Sequence, residues 1–113
     1  MAIRRLLAQM TVSDLERAVA WYTRLFGRGF DAHPMAGLVE WHLADTFGVQ
    51  VWAEPGRAGQ SCMVLDEPDL DVRVADLERA GIDNDGAQDA TSSRILLVTD
   101  PDGNRVVFTG PFT

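Results

Sequence analysis

The sequence predicts an α+β domain made of two tandem βαβββ modules. Three observations predict it. Punctuation in the first half recurs 55 residues on: Asp14-Leu15 as Asp69-Leu70, Val19-Ala20 as Val74-Ala75, Asp45 as Asp100 and Gly48 as Gly103. Each half opens with a short apolar run followed by an apolar stripe at helical spacing. Each half then closes with short runs separated by turn residues. A chain of 113 residues suits one domain. The modules therefore share a single domain over 1–113, one spanning about 1–55 and the other about 60–113, joined by the loop Glu54-Pro55-Gly56-Arg57-Ala58-Gly59.

The elements follow in order. Arg4 to Thr11 is mostly apolar and suits a strand. Ser13 with Glu16 has the spacing of a capping box, the hydroxyl accepting from a first-turn N–H while the carboxylate reaches back. Leu15, Ala18, Val19, Tyr22, Leu25 and Phe26 form one helical stripe, which Gly27 and Gly29 end. Short runs at Phe30–His33, Leu38–Leu43 and Val49–Ala53 read as three strands, with Asp45-Thr46-Phe47-Gly48 as the turn before the last. The second half repeats this grammar. Ser61–Leu65 is a strand, and Asp69 caps a helix carrying Leu70, Val74 and Leu77 that stops at Gly81. Residues 83–92 are polar and hold at most one weak strand. Arg94–Thr99 and Arg105–Thr109 are stronger, joined by Asp100-Pro101-Asp102-Gly103-Asn104, where Pro presets φ and Gly supplies a positive φ.

Composition excludes several functions. Ten basic against seventeen acidic residues give a net charge of −7. A nucleic-acid or anionic-membrane partner needs clustered Lys and Arg, which are scattered here. The single Cys62 has no partner for an intrachain disulfide, so a reducing cytoplasm is the expected compartment. No apolar run reaches the roughly 20 residues that span a bilayer. The opening MAIRRLLAQM lacks a long apolar region and a small-residue cleavage site, so no signal peptide is read there.

Two segments carry a family resemblance. Val12-Ser13-Asp14-Leu15-Glu16-Arg17, with the helix that ends Trp21-Tyr22 … Leu25-Phe26-Gly27, resembles the opening of vicinal oxygen chelate proteins. This is the glyoxalase / bleomycin resistance protein / extradiol dioxygenase superfamily. Thr99-Asp100-Pro101-Asp102-Gly103-Asn104-Arg105-Val106-Val107-Phe108 is similar to its closing hairpin. The resemblance covers essentially the whole chain. It implies a curved mixed sheet around a cavity, with the helices on the outer face. It also implies where a metal would sit: His, Gln or Glu on the first strand of each module and Glu on the last. Carried across, seven residues before each helix-opening Asp and four after each turn glycine, those positions are Leu7, Trp52, Cys62 and Val107. They hold no carboxylate and no imidazole. What remains resembles the metal-free, drug-binding branch.

The expected function is thus metal-independent binding of a small apolar or aromatic molecule, with no cofactor, by a homodimer. The expected cavity residues are Gln9, Trp41, Gln50, Trp52, Cys62 and Arg105. Gln9 and Gln50 share their strand faces with the former ligand positions. Trp41 and Trp52 offer a stacking platform. Cys62 serves as a small hydrophobe, and Arg105 meets an anionic group. If Trp41 faces the cavity, His42 faces the helices or solvent; a register shifted by one instead turns Glu40 and His42 inward. In that register a general base becomes available. Beside the binding reading stand a metal-dependent lyase, dioxygenase or isomerase with an atypical site at Glu40, His42 or Glu54, and an interaction module with a filled cavity.

Overall fold

The computed structural model describes residues 1–112. Strand β1 (Leu6–Val12) leads into helix α1 (Leu15–Phe26), followed by β2 (Ala32–Met35), β3 (Leu38–Trp41) and β4 (Phe47–Ala53). After a single 3-10 turn, β5 (Cys62–Asp66) leads into α2 (Leu70–Arg79), then β6 (Gln88–Asp89), β7 (Arg94–Thr99) and β8 (Arg105–Gly110). The four strands of each module form a mixed sheet, in the order β1-β4-β3-β2 and β5-β8-β7-β6. First and last strands pair parallel, and the other pairs are antiparallel. Two copies of one βαβββ topology are the expected α+β fold. Among the described residues no helix is long and apolar enough to cross a membrane.

Both helices start at an aspartate. The Asp14 carboxylate accepts the Arg17 N–H, and the Asp69 carboxylate accepts those of Asp71 and Val72. The expected capping box therefore does not form. Ser13 instead donates its hydroxyl to Asp102 of the second module, and a carboxylate is the stronger acceptor. α1 ends at Gly27, whose φ of 73° is one that a side chain disfavours.

Each helix lies on one face of its own sheet, and side chains alternate accordingly. On the first sheet Met10, Val12, Val39, Trp41, Val49 and Val51 face α1 and its Ala18, Tyr22 and Leu25. On the second, Met63, Leu96, Val98, Val106 and Phe108 face Leu70 and Leu77. These residues form one continuous core. The helices also touch each other: Arg73 reaches the Leu25 carbonyl and Arg24 that of Ala80. This arrangement leaves the opposite face of both sheets uncovered by helices; it is called the open face below.

The closing hairpin locks the modules together. The Asp100 carboxylate accepts from the Tyr22 hydroxyl (2.9 Å), the Asn104 side-chain amide (2.8 Å) and the backbone N–H groups of Asp102 and Asn104. Asn104, fully buried, also donates to the Thr11 carbonyl and accepts from Ser61 N–H.

The register corrects one expectation. Leu7 lies beside Gly48, but Cys62 lies beside Arg105. The second module thus has two more residues between its first and last strands. Val107, beside Val64, corresponds to Gln50, beside Gln9, and not to Trp52. Gly48 is likewise no turn glycine. It lies inside β4, where a Cβ would come within 2.4 Å of the Trp41 carbonyl oxygen.

Candidate functional site

The open face of the first sheet carries a polar row. Gln9, Gln50 and Glu40 lie directly opposite one another on β1, β4 and β3. Gln9 Nε2 donates to Gln50 Oε1 (3.1 Å), and Gln50 Nε2 donates to Glu40 Oε2 (2.6 Å). His42, just past the end of β3, closes the row with Nε2 at 2.9 Å from Glu40 Oε1. Both carboxylate oxygens are therefore occupied by donors. Those hydrogen bonds, from His42 first and Gln50 second, hold the Glu40 carboxyl below the usual carboxylate range. Glu40 is only 7% exposed, yet little protein lies above it, so desolvation costs it little. Asp31 anchors the backbone beneath: it accepts the His42 N–H at 2.6 Å, and Arg28 Nη1 donates to both its carboxylate oxygens. Arg28, then His42, hold its carboxyl low.

Trp52 occupies the next row of the same face, with Thr11 and Leu38, and its indole N–H donates to Glu54. Trp41 does not join it. Trp41 is fully buried on the helix side, against Tyr22, Phe26 and Phe30, with its N–H on the Arg28 carbonyl. The expectation that Trp41 faces the cavity is thereby corrected, because the dry face of a helix-covered sheet takes the large apolar ring. The alternative register, with Glu40 and His42 on the open face, is the observed one. The alternation Val39, Glu40, Trp41, His42 carried the signal, apolar toward the helix and polar away from it. Cys62 and Arg105 pair across β5 and β8 on the open face of the second sheet, outside the polar row, and both are exposed.

A cavity of about 560 Å³ opens where the edge strands β1 and β5 meet. Its walls are mainly apolar: Leu6, Phe26, Leu43, Phe47, Leu65 and Phe108. On one side Arg73 pairs with Glu67 and lies 5.0 Å over the Phe108 ring. None of the six expected cavity residues lines it. It exists only through the way the modules meet, so no local pattern announces it. Leu6, Ala8 and Phe47 share their strand faces with Met10 and Val49, so this cavity lies on the helix side of the first sheet, away from the polar row.

No protein-family model matches the sequence, and no curated protein matches it. Solved structures do. A glyoxalase / bleomycin resistance protein from Catenulispora acidiphila superposes with a TM-score of 0.86 at 26% identity, over 94% of this chain and 96% of its own. TnmS3, an antibiotic binding protein from Streptomyces sp. CB03234, gives 0.80 at 26% identity, over 99% of each chain. A lactoylglutathione lyase from Agrobacterium tumefaciens shares the fold, with a TM-score of 0.76 at 20% identity over 93% of this chain and 91% of its own. The chain belongs to the vicinal oxygen chelate superfamily. With the observed register, the positions where metal-dependent members of that superfamily place their ligands are Leu7, Gln50, Cys62 and Val107. Two of these have no donor atom, and an amide and a thiol on separate sheets do not fit a hard divalent ion. Among the described residues no three His, Cys, Asp or Glu side chains converge elsewhere.

Proposed function

We propose that this vicinal oxygen chelate protein binds a small apolar or aromatic molecule without a metal, and sequesters it. The ligand lies on the open face of the first sheet, its polar groups on the row of Gln9, Gln50, Glu40 and His42 and its apolar body beside Trp52. The observation that carries this reading is a row of amide, carboxylate and imidazole groups, with an indole beside it, on a sheet face that no helix covers. A few placed polar groups beside an aromatic ring are what orient a small molecule in its site. The similarity to an antibiotic binding protein supports the reading, as does the donor-poor set at the superfamily's ligand positions. Cys62 and Arg105 then belong to the far wall, reached when the second sheet's open face closes over a ligand. A second copy of the chain is the proposed cover, since the open faces stand bare in one copy. The expected compartment remains the cytoplasm.

The test is calorimetric titration of aromatic compounds with a chelator present. Binding should persist unchanged with chelator, and Gln50→Leu, which breaks the row at its centre, should weaken it. Binding that disappears with the chelator and returns with a divalent ion overturns the metal-free reading.

A further inference from the structure

We propose that His42 and Glu40 form a proton-accepting pair, and that the ligand is an aromatic compound bearing an acidic hydroxyl, which gives its proton to His42 on binding. The proposal rests on the binding reading above and names the chemistry of its ligand.

The geometry separates the two partners' roles. Glu40 is covered, while the His42 side chain is one-third exposed. In the neutral ring, the proton on Nε2 points to Glu40 Oε1 at 2.9 Å, which leaves the lone pair on Nδ1. Among the described residues Nδ1 has no hydrogen-bond partner, and no buried side-chain nitrogen or oxygen lacks one, so Nδ1 is open to solvent. A carboxylate behind an imidazole fixes its tautomer and stabilises the imidazolium that forms when Nδ1 takes a proton. Gln50 holds the second carboxylate oxygen and so keeps Glu40 aimed at the ring. The other charges nearby largely cancel. Asp31 and Arg28, bonded to the His42 backbone, neutralise each other, and Arg5 acts on Glu40 from a distance.

The step balances without a co-reactant. The ligand's O–H bond breaks, its proton moves to Nδ1, and the pair becomes phenolate beside imidazolium beside carboxylate. Net charge explains why the ligand arrives neutral. At −7 the protein repels a pre-formed anion but not an undissociated phenol. His42 is therefore the group that touches the ligand, and Glu40 is a positioning residue.

Paired probes test this: 4-nitrophenol and its methyl ether, 4-nitroanisole, which has no acidic proton. At a pH where free 4-nitrophenol is mostly undissociated, the bound compound should show the visible phenolate band. Its apparent acid constant should be raised about tenfold or more, equivalent to at least one pKa unit. His42→Gln should remove the band while the anisole still binds. Glu40→Gln, which preserves the shape of the row, should weaken the band by a larger factor than it weakens anisole binding. Anisole binding by each variant also reports that it is folded. If both probes bind and the phenol stays neutral, or if the band survives in His42→Gln, the proton-accepting pair is refuted while the binding reading stands. If neither probe binds the wild-type protein, the binding reading fails and this proposal fails with it.

Discussion

Gly48 shows how one residue's size decides local geometry. Its place in β4 requires no unusual φ, but a methyl there would meet the Trp41 carbonyl oxygen at 2.4 Å and a Leu7 methyl at 2.9 Å. A backbone oxygen held in a ladder cannot step aside as a side-chain tip does. Gly48→Ala should therefore cost about 1–3 kcal/mol, as overpacking does, read as a lower urea midpoint at unchanged slope. A wild-type midpoint would show that the β3–β4 hairpin is looser than described. Tyr22 is the other residue with a sharp signature, because it is the protein's single tyrosine. Burial, and then the Asp100 charge, push its phenol far above the ordinary 10.0. The folded state thus holds this proton more tightly than the unfolded chain does. Its contribution to stability is complete below pH 10.0 and falls as pH rises further, when only the unfolded chain releases the proton. In an alkaline titration the tyrosinate absorbance should appear together with loss of near-ultraviolet dichroism. Tyrosinate forming near pH 10 in protein that remains folded would contradict the Tyr22–Asp100 pair.

At the scale of elements, the hairpin between β7 and β8 outweighs the helix caps. Removing the Asp14 or Asp69 carboxylate frees N–H groups that water can reach, so each Ala substitution should cost about 1 kcal/mol. Asp100→Ala instead strands the Tyr22 hydroxyl, the Asn104 amide and two backbone N–H groups at a buried junction. Each such group costs about 1–3 kcal/mol, so a loss of about 3 kcal/mol or more is expected. Asp100→Asn, which keeps the shape and one good acceptor, should fall between, and thermal melts of the four variants test this order. How much of this was legible in the sequence differs by element. Both helices and the β7–β8 hairpin were legible, because helical stripes and the Pro-Asp-Gly turn are local signals. The role of Asp100 was not, since its partners lie 78 and 4 residues away. The open face of the first sheet was half legible. Gln9, Gln50 and Trp52 were expected there and lie there, but Trp41 does not. Aromatic rings suit a ligand wall and a core equally well, and only the helix above the sheet distinguishes the two. The two-residue difference between the modules' last strands also escaped, because Gly48 imitates a turn glycine at the right spacing.

At the scale of the whole molecule, the open face of the second sheet is the feature that a single chain leaves unexplained. Val64, Val107 and Leu97 lie opposite one another on β5, β8 and β7 and form an apolar row across it. Val64 is 62% exposed and Leu97 46%. On the first sheet the matching row is the polar one of Gln9, Gln50 and Glu40. Water meets the polar row at little cost, but each exposed valine or leucine leaves about 1.5–3 kcal/mol of burial unused. Lone apolar side chains are ordinary on a surface; three in register across adjacent strands are a patch that a partner covers. In the homodimer proposed above, a second copy supplies that partner symmetrically, each chain offering the same faces. Sedimentation at micromolar concentration should therefore report twice the mass of the chain. Val64→Asp should shift the equilibrium toward the single chain without altering the far-ultraviolet spectrum, because Val64 contributes nothing to the core. It should weaken ligand affinity as well, if the second copy closes the binding space. A wild-type protein that sediments as a single chain at every concentration, yet binds its ligand fully, would mean that each chain closes its own binding space and that the apolar row serves another purpose.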